Sequence, residues 1–181
     1  MNIRPANVND AAAIAKVHVD SWRTTYQGIV PDDYLISLSY EQHEQLWRQI
    51  LTNPSRSNFV YLAEEERGPV VGFVSGGPER SGDRVYTGGL DAIYLLVSAQ
   101  RQGIGRRLAG ELVARLMQDG MTALLVWVLA ANPARKFYER LGGQVVYERT
   151  AVIEGVSLIE VAYGWRDAYK AIEQAGSRQP T

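Results

Sequence analysis

The segment Gln100-Arg101-Gln102-Gly103-Ile104-Gly105-Arg106-Arg107 constrains the fold of this chain more than any other. Residues 90–97 before it favour a strand, and residues 105–117 after it carry apolar side chains at helical spacing. Gly103 and Gly105 allow the backbone to turn tightly between these two elements and to approach a ligand closely. We therefore expect a strand that passes through a short turn directly into a helix.

The same junction offers a site for an anion. The first turn of a helix has N–H groups without acceptors, and the helix dipole places positive charge there. Arg101, Arg106 and Arg107 add charge that can pair with phosphates. Taken alone, the segment leaves two interpretations open: a phosphate cradle, or a glycine turn whose arginines face solvent.

Other phosphate-binding motifs fit the sequence less well. A dinucleotide fingerprint would place a third glycine at Leu108 and an acidic residue about 20 positions further on, where the apolar strand around Leu125 is predicted. The sequence also has no phosphate loop with a Gly-Lys-Ser/Thr ending. Neither of these two nucleotide-binding classes is therefore predicted.

The rest of the chain alternates between helical and strand patterns. The predicted elements are a strand at 2–6, a helix that starts at Asn9-Asp10, a helix at 40–51 that Asn53-Pro54-Ser55 ends, strands at 59–64 and 70–75, a loop at 76–89 with a further strand beginning near Val85, a strand at 90–97, a helix at 105–117, a strand at 123–130, a helix at 133–141, and a hairpin of strands at 144–153 and 156–163. This order predicts a mixed α/β domain with helices on both faces of one sheet.

Composition limits the class of protein. The 181 residues fit one domain, which we place at 1–165, followed by a polar tail at 166–181 that frays by Gly176. Nineteen basic residues face twenty acidic ones, so nucleic acid is not an expected partner. The longest apolar run, 123–131, is far shorter than the roughly 20 residues of a membrane helix. With no cysteine and no signal-peptide pattern at the start, we expect a cytoplasmic protein that binds no membrane.

Two motifs together resemble the GNAT superfamily of N-acetyltransferases. One is Gln100-x-x-Gly103-x-Gly105, and the other is the segment from Asn132-Pro133 through Tyr138 to Leu141-Gly142, where a strand ends in Asn and a helix carries Tyr. The resemblance covers about residues 2–164. It implies the acyl-CoA N-acyltransferase fold, with a mixed, mostly antiparallel central sheet, and acetyl transfer from acetyl-CoA to a primary amine by direct attack in a ternary complex.

The resemblance also implies roles for matching residues. The strand at 90–96 would splay from its parallel neighbour, so that the backbone of Ile93 and Leu95 binds pantetheine and an N–H near Leu95 polarises the thioester carbonyl. The pyrophosphate would lie on the first turn of the helix, and Tyr138 would protonate the departing thiolate. The implied cofactor-binding residues are Ile93, Tyr94, Leu95, Arg101, Gln102, Gly103, Ile104, Gly105, Arg106 and Asn132.

The sequence departs from the family pattern where a base is expected. Many members carry a glutamate early in the central strand, and the aligned residue here is Gly89. Asp91 lies two residues further on, so strand alternation places it on the same face. Three interpretations stay open: Asp91 recruits a water, Asp91 is a plain polar residue, or backbone carbonyls hold the water. This departure also keeps a second function open, a catalytically silent domain that binds acetyl-CoA as a sensor or scaffold.

The amine site is the least defined part of the prediction. The candidates from the first helices are His18, Trp22, Tyr26, Asp33 and Tyr34. A histidine on a helix is more often a core residue than a catalyst, and Trp22 and Trp47 at helical spacing favour core positions. His18 and His43 are the only histidines, so a protein-bound metal is not expected. The sequence names the acceptor only by class, as a small-molecule or peptide amine, and a homodimer is among the expected assemblies.

Overall fold

The computed structural model describes residues 1–53, 58–66 and 68–177, without the side chains of 175–177. The helices are α1 Ala11–Thr25, α2 Asp32–Ser37, α3 Tyr40–Thr52, α4 Ile104–Gln118, α5 Arg135–Arg140 and α6 Ala168–Ser177, and the strands are β1 Asn2–Pro5, β2 Phe59–Glu64, β3 Val70–Pro78, β4 Gly88–Leu95, β5 Leu124–Leu129, β6 Gln144–Ile153 and β7 Val156–Trp165. Pro54 and Ser55, which we expected to end a helix, and residues 178–181 of the expected tail lie outside the described residues.

The strands form one seven-stranded sheet in the order β1-β2-β3-β4-β5-β7-β6. Every neighbouring pair is antiparallel except β4 and β5, which run parallel. The expected mixed, mostly antiparallel sheet is therefore confirmed. Because a parallel pair needs a crossover, the chain passes from β4 to β5 through α4, the helix that follows the glycine-rich turn.

Helices cover both faces of the sheet, as predicted. Leu62 and Phe73 pack under α1 and α3, whereas their strand neighbours Ala63 and Val74 pack with α4. Alternate residues of a strand point to opposite faces, so the two clusters lie on opposite sides of the sheet. The α4 side also holds Tyr138 of α5. On the other side, α1 to α3 pack on β2 to β4 and on the end of β5.

The predicted loop at 76–89 was wrong at both ends. The backbone of β3 continues to Pro78 and pairs through Gly76 and Gly77 with the start of β4. A Cβ on Gly76 would meet the Gly89 carbonyl oxygen, so these glycines serve close packing of two strands rather than a turn. The strand predicted near Val85 does not form, because the Asp83 carboxylate accepts the N–H groups of residues 85 and 86 in a turn.

Both ends of the chain differ from the prediction. The side chain that caps the first helical turn is Asn7, whose Oδ1 accepts the Asn9 N–H at 3.0 Å, instead of Asn9 or Asp10. The segment expected to be a polar tail forms α6, and Ala168 at its start is only 1% exposed. Ala171 and Ile172 pack against the same core, so apolar residues three and four positions apart hold this helix on α4. Helix α2 was also not predicted.

Candidate functional site

The parallel strands β4 and β5 separate soon after they meet. Their register contains only two pairs, Gly88 with Leu124 and Gly89 with Leu125. Beyond these pairs β4 stays bonded to β3, and β5 stays bonded to β7. The sheet therefore opens into a gap between β4 and β5, and the backbone groups of β4 that face the gap have no strand opposite them.

The direction of the backbone decides which residues face this gap. Leu96 donates its N–H to Val71 of β3 at 2.9 Å. Backbone groups alternate in direction along a strand, so Tyr94 also points its backbone toward β3, and Ile93 and Leu95 point theirs into the gap. The Leu95 carbonyl accepts a hydrogen bond from the Gln100 side-chain amide at 3.1 Å. The N–H groups of Ile93 and Leu95 are the donors that point into the gap.

The glycine-rich turn brings the start of α4 to the open end of the gap. Gly103 caps α4 with φ of 77°, and Arg101 also has a positive φ of 62°. The first backbone bond of the helix runs from Arg107 N–H to the Gly103 carbonyl at 3.2 Å. The N–H groups of the preceding turn have no acceptor within the helix, which makes this end an anion site.

The two glycines of the motif have different functions. A Cβ on Gly103 would meet no atom within 4 Å, so its surroundings are open to a ligand and its left-handed backbone requires glycine. A Cβ on Gly105 would lie 3.3 Å from Phe137 and 3.4 Å from Leu95. Gly105 therefore permits the close packing of α4 on α5 and β4, a function that differs from the expected approach to the ligand.

Three hydroxyl and amide groups meet on the α1 side of the gap. The Tyr26 and Tyr94 hydroxyls lie 3.3 Å apart, and Asn132 Nδ2 donates to Tyr26 at 3.2 Å. Asn132 is only 5% exposed, and its Oδ1 accepts the Ala134 N–H at 2.8 Å. The amide of Asn132 thus fixes the start of the α5 turn and holds Tyr26, in addition to any contact with pantetheine through its second N–H.

Tyr138 is buried on the opposite side of the same gap. Its ring packs against Tyr163 and Trp165, with centroids 5.8 and 6.3 Å away. Burial raises the pKa of the Tyr138 hydroxyl well above its ordinary value, and the nearby Tyr26 phenol raises it further. Burial in the same way raises the pKa of Tyr94, to which Tyr138 contributes. All three phenols therefore hold their protons throughout the physiological range.

Asp91 lies at an irregularity of β4. The register of β3 and β4 shifts here, because Ser75 pairs with Ala92 and Gly76 with Leu90, so Asp91 is an extra residue. Its Oδ2 accepts Arg80 Nη2 at 3.0 Å. A Cβ on Gly89 would lie 3.8 Å from Asp91 Oδ1, so the carboxylate lies near the position at which many members of the GNAT superfamily carry a glutamate.

His18 belongs to an aromatic cluster under α1. Trp47 Nε1 donates to His18 Nδ1 at 3.2 Å, and the imidazole stacks on Tyr94 with centroids 5.0 Å apart. Burial, followed by the neighbouring His43, lowers the pKa of His18 to about 3. The ring is therefore neutral at physiological pH with its proton on Nε2. Trp47 is 3% exposed, as expected of a core residue.

The remaining acceptor candidates divide into two groups. The Trp22 ring packs on Tyr26 and Tyr34 with centroids 4.5 and 5.8 Å away, and its indole nitrogen is buried beside the Tyr94 hydroxyl. These rings form a wall along the hydroxyl cluster, which consists of Tyr26, Tyr94 and Asn132. Asp33 is exposed in the first turn of α2 and is not part of this wall.

The sequence-based prediction missed three residues on β5, β6 and β7. Arg149 lies over the Trp127 ring at 4.0 Å and donates to Glu160 at 2.7 Å. Trp127 was interpreted only as part of an apolar strand. Glu160 is the one charged residue among the ten of β7, a signal that could have indicated a functional carboxylate.

Two further searches concern the described residues alone. No group of three or more His, Cys, Asp or Glu residues there is arranged to hold a metal ion. None of the described helices is both long and apolar enough to cross a membrane.

Comparisons with known proteins bear on this geometry. The family model described as Acetyltransferase (GNAT) family matches residues 18–143. YuaI of Bacillus subtilis (strain 168), an N-acetyltransferase named as uncharacterized, is 46% identical over 168 residues, which are 92% of this chain and 94% of YuaI.

Two solved structures share the fold. PaiA N-acetyltransferase from Thermoplasma acidophilum, in complex with coenzyme A, has a TM-score of 0.69 at 22% identity and covers 88% of this chain and 96% of its own. YncA from Salmonella typhimurium, with its cofactor acetyl-CoA, has a TM-score of 0.66 at 24% identity and covers 91% of this chain and 92% of its own.

Proposed function

The chain belongs to the GNAT family of acetyltransferases, and on this premise we propose that it transfers an acetyl group from acetyl-CoA to a primary amine by direct attack in a ternary complex. The observation that carries the proposal is the gap between β4 and β5, which is lined by backbone N–H groups and ends at the first turn of α4. Coenzyme A or acetyl-CoA in the related structures of PaiA and YncA supports this choice of co-substrate.

Binding of acetyl-CoA would use the backbone of two elements. The pyrophosphate fits the first turn of α4, from Gln102 to Arg106, with the exposed Arg101 beside it. Pantetheine fits the gap between β4 and β5, where it takes the place of a neighbouring strand and accepts hydrogen bonds from the N–H groups of Ile93 and Leu95. One of these N–H groups donates to the thioester carbonyl oxygen and stabilises the negative charge that develops there.

The chemical step needs one group to stabilise the departing sulfur. The neutral amine nitrogen forms a bond to the carbonyl carbon, the carbon–sulfur bond breaks, and its electron pair leaves with sulfur. Tyr138 is protonated at every physiological pH because burial raises its pKa. A thiol has a pKa of about 8.5, well below that of this phenol. Tyr138 therefore donates a hydrogen bond to the departing sulfur and transfers its proton to it. The proton that the amine loses restores the phenol, so the products are the thiol of CoA and an amide.

We propose Asp91 as the carboxylate that orients a water for removal of the amine proton. Its support is the short distance to the Gly89 position. The ion pair with Arg80 holds the carboxylate in place and occupies Oδ2. A water held only by backbone carbonyls, with Asp91 as a structural partner of Arg80, is the alternative.

The test of the proposed function is a pair of measurements on the full chain. Ligands that bind only the folded protein raise its melting temperature, so acetyl-CoA and CoA should raise Tm by several degrees, and NAD, FAD and ATP by much less. Release of free thiol from acetyl-CoA should appear with at least one class of amine and be absent with denatured enzyme. Equal increases in Tm with ATP and with CoA would contradict the cofactor assignment.

A silent acetyl-CoA-binding sensor or scaffold is the second candidate, because Gly89 stands where the family carries its glutamate. Stabilisation by acetyl-CoA without turnover of small-molecule, peptide or lysine amines would favour it. A cytoplasmic location, a homodimer and the division into a domain at 1–165 and a tail at 166–181 stay predictions.

A further inference from the structure

A single carboxylate stands in the apolar strand β7 beside the gap. Glu160 pairs with Leu129, the last residue of β5, on one side and with Arg149 of β6 on the other. Directly opposed residues of a sheet share a face, and Leu129 packs with Val19 and Tyr26 of the α1 side. Glu160 therefore lies on the α1 side, two residues from Leu158, which packs against residues of α1 and α2 there.

The register of the strands places Glu160 level with the proposed thioester site. The last paired residues of β4 and β5 are Gly89 and Leu125. Four residues further along β5 is Leu129, whose partner in β7 is Glu160. Because Asp91 is an extra residue in β4, the residues of β4 at about the same height are Ile93, whose N–H faces the gap, and Tyr94. Neighbouring strands are about 4.8 Å apart, so this carboxylate is one strand removed from the edge of the gap.

The carboxylate keeps one oxygen for a further partner. Oε2 accepts Arg149 Nε at 2.7 Å, and the Glu160 side chain is 19% exposed. Within residues 1–53, 58–66 and 68–177, Oε1 accepts no hydrogen bond. A carboxylate that is held by one guanidinium nitrogen, mostly shielded from water and open at its second oxygen is suited to bind a cation.

The surroundings of Glu160 favour a cation over an anion. Burial raises the pKa of the Tyr26 phenol, and the negative charge of Glu160 raises it further. Glu154 likewise acts on Tyr34, after burial, to raise the pKa of that phenol. The rings of Trp22 and Tyr34 add aromatic faces, which attract cations. Arg149, the nearest cation, is already paired with Glu160 and stacked on Trp127.

We propose that Glu160 is the residue that selects the acceptor: its Oε1 binds the ammonium group of a cationic primary amine and guides it to the gap. This inference rests on the proposed function and specifies its substrate class. The amine must lose a proton to become a nucleophile, and Glu160 concentrates the charged form at the mouth of the gap before that loss occurs. A neutral or anionic acceptor of the same shape gains nothing from this carboxylate.

The test compares two probes that differ only in charge. 2-Phenylethylamine and 2-phenylethanol have the same skeleton, and their binding to the CoA complex is measured by calorimetry, where no acetyl group is present to react. A hydrogen bond to a charged group is worth roughly tenfold to a hundredfold in affinity, so the wild-type chain should prefer the amine by about that factor. In Glu160→Gln, which keeps the size of the side chain, the preference should disappear.

Two matched variants separate this function from a general loss of charge. Glu148→Gln removes the same charge one residue from Arg149, but Glu148 pairs with Val161 and so faces the α4 side, and this variant should keep the preference. Arg149→Gln frees Glu160 from its partner, and the preference should stay or increase. Unchanged CoA-induced Tm shifts show that each variant is folded.

The inference is overturned if wild type shows no preference, if Glu160→Gln keeps it, or if Arg149→Gln loses it as completely as Glu160→Gln. Failure of the proposed function has a separate signature. In that case the wild-type chain binds CoA but releases no thiol from acetyl-CoA with any amine, whatever the binding preference of the probes.

Discussion

The two sides of the gap differ in the groups that they present, backbone on one side and side chains on the other. The cofactor side consists of backbone, namely the free edge of β4 and the first turn of α4. The proposed acceptor side consists of side chains that come from distant elements: Tyr26 after α1, Asp91 in β4 and Glu160 in β7. Recognition by backbone demands a particular conformation, whereas recognition by side chains demands only that the fold bring them together.

This difference explains how each side varies. A backbone cradle tolerates most residues except where a positive φ or close packing requires glycine, so it leaves a short contiguous motif in the sequence. A side-chain site can change its specificity one residue at a time without altering the fold. We therefore expect substitutions on the cofactor side to affect affinity and stability, and substitutions on the acceptor side to affect rate and selectivity.

The largest effect is expected at Tyr138, which lies in the gap between the two sides. Tyr138→Phe keeps the ring and its packing but removes the donor to the departing sulfur. General acid catalysis is typically worth ~10²–10⁴-fold, so kcat should fall within that range while the Kd for CoA changes little. Steady-state turnover and CoA titration of the two proteins check this.

A neighbouring tyrosine provides the control for that experiment. Tyr163 packs on Tyr138, but its hydroxyl donates to Glu139 at 2.7 Å and accepts Arg135 Nε at 3.0 Å. Tyr163→Phe should lower stability by about 1–2 kcal/mol through the two lost hydrogen bonds and leave kcat nearly unchanged. Full activity in Tyr138→Phe would make Tyr138 a packing residue.

The two glycines of the motif sharpen the comparison on the cofactor side, with an intermediate effect. Gly103→Ala forces a left-handed backbone on alanine, which costs about 1–2 kcal/mol, and places a methyl group where phosphate approaches, so CoA affinity should fall about tenfold or more. Gly105→Val meets Phe137 and Leu95 and should cost about 1–3 kcal/mol of unfolding free energy.

Denaturant unfolding and CoA titration distinguish these outcomes. Gly103→Ala should lose more affinity than its stability loss explains, and Gly105→Val should lose mainly stability. If Gly103→Ala binds CoA as tightly as wild type, the cradle does not lie on this turn. The opposite pattern between the two glycines would contradict the assignment of their separate functions.

The smallest effect is expected at Asp91 on the acceptor side. Asp91→Asn keeps the shape but removes the carboxylate beside the Gly89 position, and because a water can still bind there, kcat should fall by roughly tenfold or less. The rate should still rise with pH as the amine loses its proton. Rates measured from pH 6 to 9 check this, and an unchanged profile and rate would favour a water held by the backbone.

The chain order of strands and helices was largely predictable, but its exceptions are instructive. The glycines of 76–77 and 88–89 indicated a loop, whereas the structure uses them to bring two strands close together. Helix α6 was missed because the polar composition of the segment concealed Ala168, Ala171 and Ile172, which pack only because α4 is beside them. Local propensity cannot report a partner that lies far away in the sequence.

The candidate site, like the order of strands and helices, was predictable in part. The residues of the cradle were named from one contiguous motif, and the structure places Ile93, Leu95 and the turn of α4 around one gap. Glu160 was missed because nothing near it in sequence relates it to Tyr26 or Tyr138. The function of Gly105 was also misjudged, since its contact with Phe137 depends on how α4 and α5 pack.

The sequence by itself determined the family, the class of cofactor and the start of α4, because backbone conformation leaves its requirements in consecutive residues. Only the tertiary structure decided that β4 and β5 part after two residue pairs, that His18 is neutral in a buried cluster, and that Glu160 pairs with Leu129 at the end of β5. Burial, register and the field of neighbouring charges are properties of contacts between distant segments, so they exist only once the chain has folded.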